Sequence, residues 1–190
     1  MFERGFKTWC ETIASVQRKE LGVGAIDPLD PFALAEHLGV RVMRADEIPD
    51  VEPSCLKTLT RDDPDSWSAI TLSMDSDDLI ILNPTHSGGR PASDLMHELA
   101  HIIAGHAPSR VDVSEDGMLL LNSYDRSQEE QASWLAGCLL LPREALVAIR
   151  RSGLSVEVVS KRYGVSPAML RYRLDVTGVN RQLRRGRPDR

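Results

Sequence analysis

Residues 97–101 read His97-Glu98-Leu99-Ala100-His101, an H-E-x-x-H pattern. On a helix, the i, i+4 spacing stacks the two imidazoles on one face, where their neutral nitrogens can share one zinc ion. Glu98 follows His97 by about 100° around the helix, so its carboxylate can lie beside the metal and take a proton from water. Zinc lowers the pKa of a water it carries from 15.7 to about 7. The chemistry this allows is hydrolytic attack on a peptide carbonyl at neutral pH.

A third ligand is required. The extended metzincin pattern needs glycine at 104 and histidine at 107, where this chain has Ala104 and Ala107. His106 lies about 140° around the helix from His101 and is assigned to structure or to the rim of the cleft. The remaining candidates are His37, His86 and a downstream carboxylate, Glu129 or Glu130. Either glutamate would open a helix that turns apolar from Ala132 onward, through Leu135, Ala136, Leu139 and Leu140. A carboxylate leading a buried helix needs a partner, and a metal would supply one.

Several elements must position these residues. Phe6, Trp9, Cys10, Ile13, Val16 and Leu21 recur at helical intervals, giving an amphipathic first helix that stops near Gly22. Asp30-Pro31 reads as an N-cap followed by proline at the first helical position, with Phe32, Leu34, Ala35 and Leu38 as the apolar stripe. Val40 and Val42 begin a short strand. Residues 46–64 are rich in acid and proline and read as an irregular excursion, with at most a short strand near Leu56–Leu59. The runs Ala69–Leu72 and Leu79–Leu82 flank a turn and predict a small, mostly antiparallel sheet. Ser93 or Asp94 is placed as the cap of the H-E-x-x-H helix, whose opposite face carries Leu95, Leu99, Ile102 and Ile103. Residues 110–124 read as a loop with a short strand at Met118–Leu121. Helices are then expected over Ser127–Leu141, Arg143–Arg150 and Val156–Arg162. A last one is capped by Ser166 and opened by Pro167.

The chain has 190 residues, 42% hydrophobic and 27% charged, with a formal net charge of −5. That balance excludes collagenous, mucin-like and wholly disordered chains. No apolar run approaches the roughly 18 residues needed to span a bilayer, and charges interrupt Met1–Glu20, so residence in the cytoplasm is expected. Cys10, Cys55 and Cys138 form neither a disulfide framework nor a metal knuckle, and read as reduced thiols. The charges segregate: residues 1–149 hold 12 Lys and Arg against 25 Asp and Glu, and residues 150–190 hold 11 against 3. A basic end on an acidic body suits nucleic acid or an acidic partner surface, and the preferred reading is a solvated tail that contacts the chain's own acidic body.

The order Ile80-Ile81-Leu82-Asn83, Arg90, His97 to His101, then Glu129-x-x-Ala132 leading to Leu139-Leu140-Leu141-Pro142 resembles the ImmA/IrrE-type regulatory metallopeptidases. Leu34-Ala35 to Val40 upstream and Val165-Ser166 to Arg173-Leu174 downstream extend the resemblance over nearly the whole chain. Leu135 and Ser133 depart from the family's usual residues at those positions, and neither is a proposed ligand. The resemblance implies that Glu129, thirteen residues before Pro142, supplies the third zinc ligand in preference to Glu130. It further implies a zinc-dependent endopeptidase, with Zn2+ held by His97, His101 and Glu129, that cuts an XRE-type helix-turn-helix repressor and so relieves repression.

The expected fold is therefore α+β: a minimal zincin-like domain over residues 1–150 with a small antiparallel sheet, and a basic helical, helix-turn-helix-like extension over 151–190. The strand Leu79–Asn83 is expected to pair with an extended substrate, and Tyr124, His106 or an arginine to stabilise the oxyanion. Two alternatives come from a different class. One is a zinc-holding module that binds a repressor without cutting it. The other is direct DNA contact through Val156–Val176, around Lys161, Arg162, Arg171 and Arg173; it is less favoured than a purely structural helical tail.

Overall fold

The computed structural model describes residues 2–74, 77–106, 111–113, 119–121 and 125–185. Helix α1 (Phe6–Glu20) buries Cys10, Ala14 and Arg18, a spacing of four that lays one stripe against the core. Helix α2 (Pro31–His37) starts as its residues dictate: the Asp30 carboxylate accepts a hydrogen bond from the Phe32 N–H at 3.0 Å, and Pro31 occupies the first turn.

Strands β1 (Arg41–Arg44), β2 (Ala69–Met74) and β3 (Asp77–Leu82) form a sheet of order β1-β3-β2. The β2–β3 hairpin is antiparallel as expected, with Thr71 opposite Ile80. Strand β1 instead runs parallel to β3, with Val42 opposite Ile80. A parallel neighbour needs a connection of a dozen or more residues, and residues 45–76 provide it. Because β3 is the central strand, both edges of its backbone are already paired. Leu79–Leu82 is therefore closed to a further strand, whereas no strand among the described residues pairs with the outer edge of β2.

The connection itself differs from expectation. Residues 53–57 form helix α3 (Pro53–Lys57), continued by a wide π-type turn over Thr58–Asp62, and no strand forms near Leu56–Leu59. Pro53 sits at the first helical position, where its missing N–H costs nothing. The Trp67 indole N–H closes the turn on the Leu59 carbonyl at 2.9 Å.

Helix α4 (Arg90–Ala104) carries the H-E-x-x-H residues and ends at Gly105, whose φ of 65° suits glycine. It begins before Ser93 and Asp94: Pro91 lies in its first turn, and Gly89 precedes it without a side-chain cap. Asp94 instead accepts from His86 Nδ1 at 2.7 Å. Strands β4 (Val111–Val113) and β5 (Leu119–Leu121) form a separate antiparallel pair.

Helix α5 (Arg126–Leu140) is opened by Asp125, which accepts from the Ser127 N–H at 2.8 Å, and is nearly all buried from Ala132 onward. It packs against α1 and α4, and α4 packs in turn against the sheet. Leu95, Met96, Leu99, Leu135 and Leu139 are fully buried in this layer. Each such side chain contributes roughly 1.5–3 kcal/mol of transfer free energy, which holds α4 and α5 in register.

Helices α6 (Arg143–Ser152), α7 (Val156–Tyr163), α8 (Pro167–Val176) and α9 (Val179–Arg185) complete the chain. Gly164 makes the left-handed turn between α7 and α8, and Ser166 caps α8. Val159, Tyr163, Leu170, Leu174 and Val179 join the same buried cluster as α1, α4 and α5. Lys161, Arg162 and Arg171 are exposed, but Arg173 is buried, donating to Glu11 Oε1 at 3.3 Å and to the Leu141 carbonyl at 3.1 Å. With the Arg162–Asp27 pair at 3.6 Å, part of the basic end does contact the acidic body. At the other end of the same turn, a Cβ added at Gly89 would lie 2.6 Å from the Gly164 carbonyl oxygen, so α4 meets the α7–α8 turn backbone to backbone.

Candidate metal centre

Successive turns of α4 present His97 and His101, whose Nε2 atoms lie 3.2 Å apart. The first turn of α5 presents Glu129, with Oε2 at 3.1 Å from His97 Nε2 and Oε1 at 3.4 Å from His101 Nε2. Zinc bonds of 2.0–2.1 Å in a tetrahedron place neighbouring donor atoms about 3.3 Å apart. These separations match those between zinc ligands, with the carboxylate meeting the two rings through different oxygens. Two imidazole nitrogens and a carboxylate oxygen all within 4.8 Å of one another are also a donor set that zinc accepts. The residues fit the ion, and the three leave a fourth position for water or substrate.

Glu130 is directed elsewhere, pairing with Arg126 at 3.1 Å on the exposed side of α5. Of the other candidates, His37 pairs with Glu20 at the surface and His86 with Asp94. Tyr124 lies outside the described residues, as does most of residues 107–124.

His106 stands behind the centre. Its Nδ1 is 3.1 Å from His101 Nδ1, and its Nε2 is 3.1 Å from Gln131 Oε1. With His101 Nε2 turned to the cluster, its Nδ1–H donates to His106, whose Nε2–H donates to Gln131. Such outer partners fix the tautomer and orientation of a ligating histidine.

Burial lowers the pKa of His101 to about 4, with the neighbouring charge of His97 adding to the effect and Glu129 opposing it. The imidazole is therefore kept neutral, the form that binds metal. The unfolded chain takes up this proton near pH 6.5 and the folded chain only near 4, so stability of the metal-free protein should fall as pH drops through that window. Metal-free protein should show a declining Tm from pH 6.5 to 4.5; a flat profile there would contradict it.

Glu98 lies beside the cluster on the same helix and is half-buried, and that burial raises its pKa. Thr71 Oγ1 donates to Glu98 Oε2 at 2.6 Å, which opposes the rise. Sequence reasoning missed Thr71. Its one signal was a lone hydroxyl in the apolar run Ala69–Leu72, and only the strand register turns it toward α4. Thr71→Val keeps the shape and removes the donor, a loss of about 1 kcal/mol. We expect kcat to drop roughly fivefold to tenfold, zinc content to stay constant, and the acid limb of the rate profile to move to higher pH. An unshifted limb would show that Thr71 does not position Glu98.

No single helix among the described residues is long and apolar enough to cross a membrane. A family model described as the IrrE N-terminal-like domain, a peptidase family, matches residues 35–175. Among solved structures, a Mycobacterium tuberculosis transcriptional regulator superposes with a TM-score of 0.54 at 18% identity, over 87% of this chain and 46% of its own. At that identity the likeness is one of fold, and this chain spans about half the length of that regulator. No significant match was found among curated proteins. With the model match covering most of its length, the chain belongs to the IrrE N-terminal-like domain family of peptidases.

Proposed function

We propose that this protein is a zinc-dependent endopeptidase that cleaves an XRE-type helix-turn-helix repressor and thereby relieves repression. The observation that carries the reading is the His97, His101 and Glu129 cluster with the half-buried Glu98 carboxylate beside it on the same helix. A purely structural zinc site closes all four positions with protein ligands, and three ligands with an adjacent base favour catalysis over a non-cleaving module. Zinc, when bound, supplies Lewis acidity toward water and toward the scissile carbonyl.

The chain's own residues supply the rest. Glu98 accepts a proton from the attacking water and returns it to the leaving amine as the C–N bond breaks. Thr71 holds Oε2, so the working oxygen is Oε1. An extended substrate segment adds to the outer edge of β2, which pairs with no strand among the described residues and where main-chain pairing gives affinity without demanding one sequence. Because β2 also carries Thr71, that pairing places the substrate next to the base.

The test is to incubate zinc-loaded protein with the XRE-type repressor encoded nearest its gene, alongside a chelated control, and to read fragment masses. A discrete cut in the zinc-loaded reaction alone supports the reading. An intact repressor held in a stable complex would favour the binding module instead.

A further inference from the structure

A second cleft lies at the far end of α5. Its volume is about 390 Å³, within the range of small-molecule sites. Glu11, Ser15, Arg18 and Lys19 of α1 line it, with Val23 and, across from them, Arg143 at the start of α6. Leu139, whose carbonyl accepts from Arg18 Nη2 at 2.8 Å, is ten residues along α5 from Glu129. That is about 15 Å of helix rise, so the cleft is separate from the metal centre.

Arg18 is only 2% exposed, and its Nε and Nη1 have no hydrogen-bond partner. Among the described residues no carboxylate lies within ion-pairing distance of it. A guanidinium withdrawn from water with two nitrogens unsatisfied is costly unless an acceptor is supplied. Burial lowers its pKa accordingly, only partly offset by Tyr163, Asp27 and Glu11. Arg173, the other buried arginine, also leaves Nε and Nη1 without a partner, but its charge is met: Nη2 donates to the Glu11 carboxylate and to the Leu141 carbonyl, and the Trp134 ring lies 5.4 Å away. Glu11 is thereby occupied, since it also accepts from the Arg143 N–H at 2.9 Å. The Arg143 guanidinium is spent on Gln182 and Thr177. What the cleft offers an incoming anion is the unsatisfied Arg18, the Lys19 ammonium, the Ser15 hydroxyl and an apolar wall, with the Glu144 carboxylate also in the lining and opposing negative charge on its side.

We infer that this cleft binds a small oxyanion, a phosphate or a carboxylate on a compact apolar body, through Arg18. Such a site lies beyond the proteolytic reading and does not depend on it. It would give the protein an input remote from the metal.

The test is calorimetric titration and thermal shift with two probes, sodium phosphate and sodium benzoate, against sodium chloride at matched ionic strength. We expect at least one probe to bind the full-length protein once per chain and to raise its Tm. The effect should be equal in zinc-loaded and metal-free samples. Arg18→Met should abolish it, and Ser15→Leu, at an exposed helix position, should weaken it at least tenfold by narrowing the cleft. The two probes separate a phosphate from a carboxylate ligand. Binding seen only with zinc present places the anion on the metal and overturns the inference. So does an equal response in both variants, or no response to either probe. Should Arg18→Met fail to fold, the Ser15→Leu comparison decides alone.

Discussion

Glu98→Gln should abolish proteolysis while leaving zinc bound. The amide keeps the size of the side chain and can still accept from Thr71 at 2.6 Å, but it cannot take up a proton at neutral pH. General-base contributions run to about 10²–10⁴ in rate, and the loss should appear in kcat. Because the group that could hold the metal is His97, His101 and Glu129, zinc measured by atomic emission should stay near one per chain. Retained cleavage would remove Glu98 from the role of base. Loss of zinc would mean that its carboxylate supports the ligands rather than the reaction.

The second large effect is expected at the third ligand. Glu129→Ala removes one of three donors and leaves two neutral imidazoles, so zinc affinity should drop by more than the roughly 10–100-fold seen when outer-shell partners are removed. Cleavage should vanish with it. Glu130→Ala is the matched control one residue away. Among the described residues its side chain pairs with Arg126 in an exposed i, i+4 contact, worth a few tenths of a kcal/mol, so affinity and rate should be unchanged. Equal losses in the two variants would point to damage at the start of α5 rather than to a lost ligand.

Legibility followed how local the determining physics is. The helices bearing chemistry were readable because H-E-x-x-H, Asp30-Pro31 and Ser166-Pro167 carry their own geometry within five residues. The choice between Glu129 and Glu130 could not be made from burial pattern alone, since both open the same apolar helix; the resemblance preferred the residue that the α4–α5 packing turns inward. Thr71 was illegible because a strand shows which face it turns only once its register is known. The parallel placement of β1 depended on where a long connection returns. Helix α3 was missed because acid and proline read as loop, although Pro53 at a first helical position is a start signal. Pro91 has the same meaning for α4, which starts ahead of the polar residues Ser93 and Asp94.

The meeting of Gly89 with the Gly164 carbonyl bears on how this sequence can vary. Position 89 has no room for a methyl group and position 164 holds a φ of 64°, so each is closed to other residues for its own reason: one by crowding, the other by backbone conformation. A side chain at 89 would act as a wedge between the histidine-bearing helix and the C-terminal helices, because the atoms it would meet first are the main chain of Gly164 and Val165. Drift in one half is thus restrained by the other through bare main chain. Related chains that carry a bulkier residue at 89 must have reseated the α7–α8 turn to make room for it.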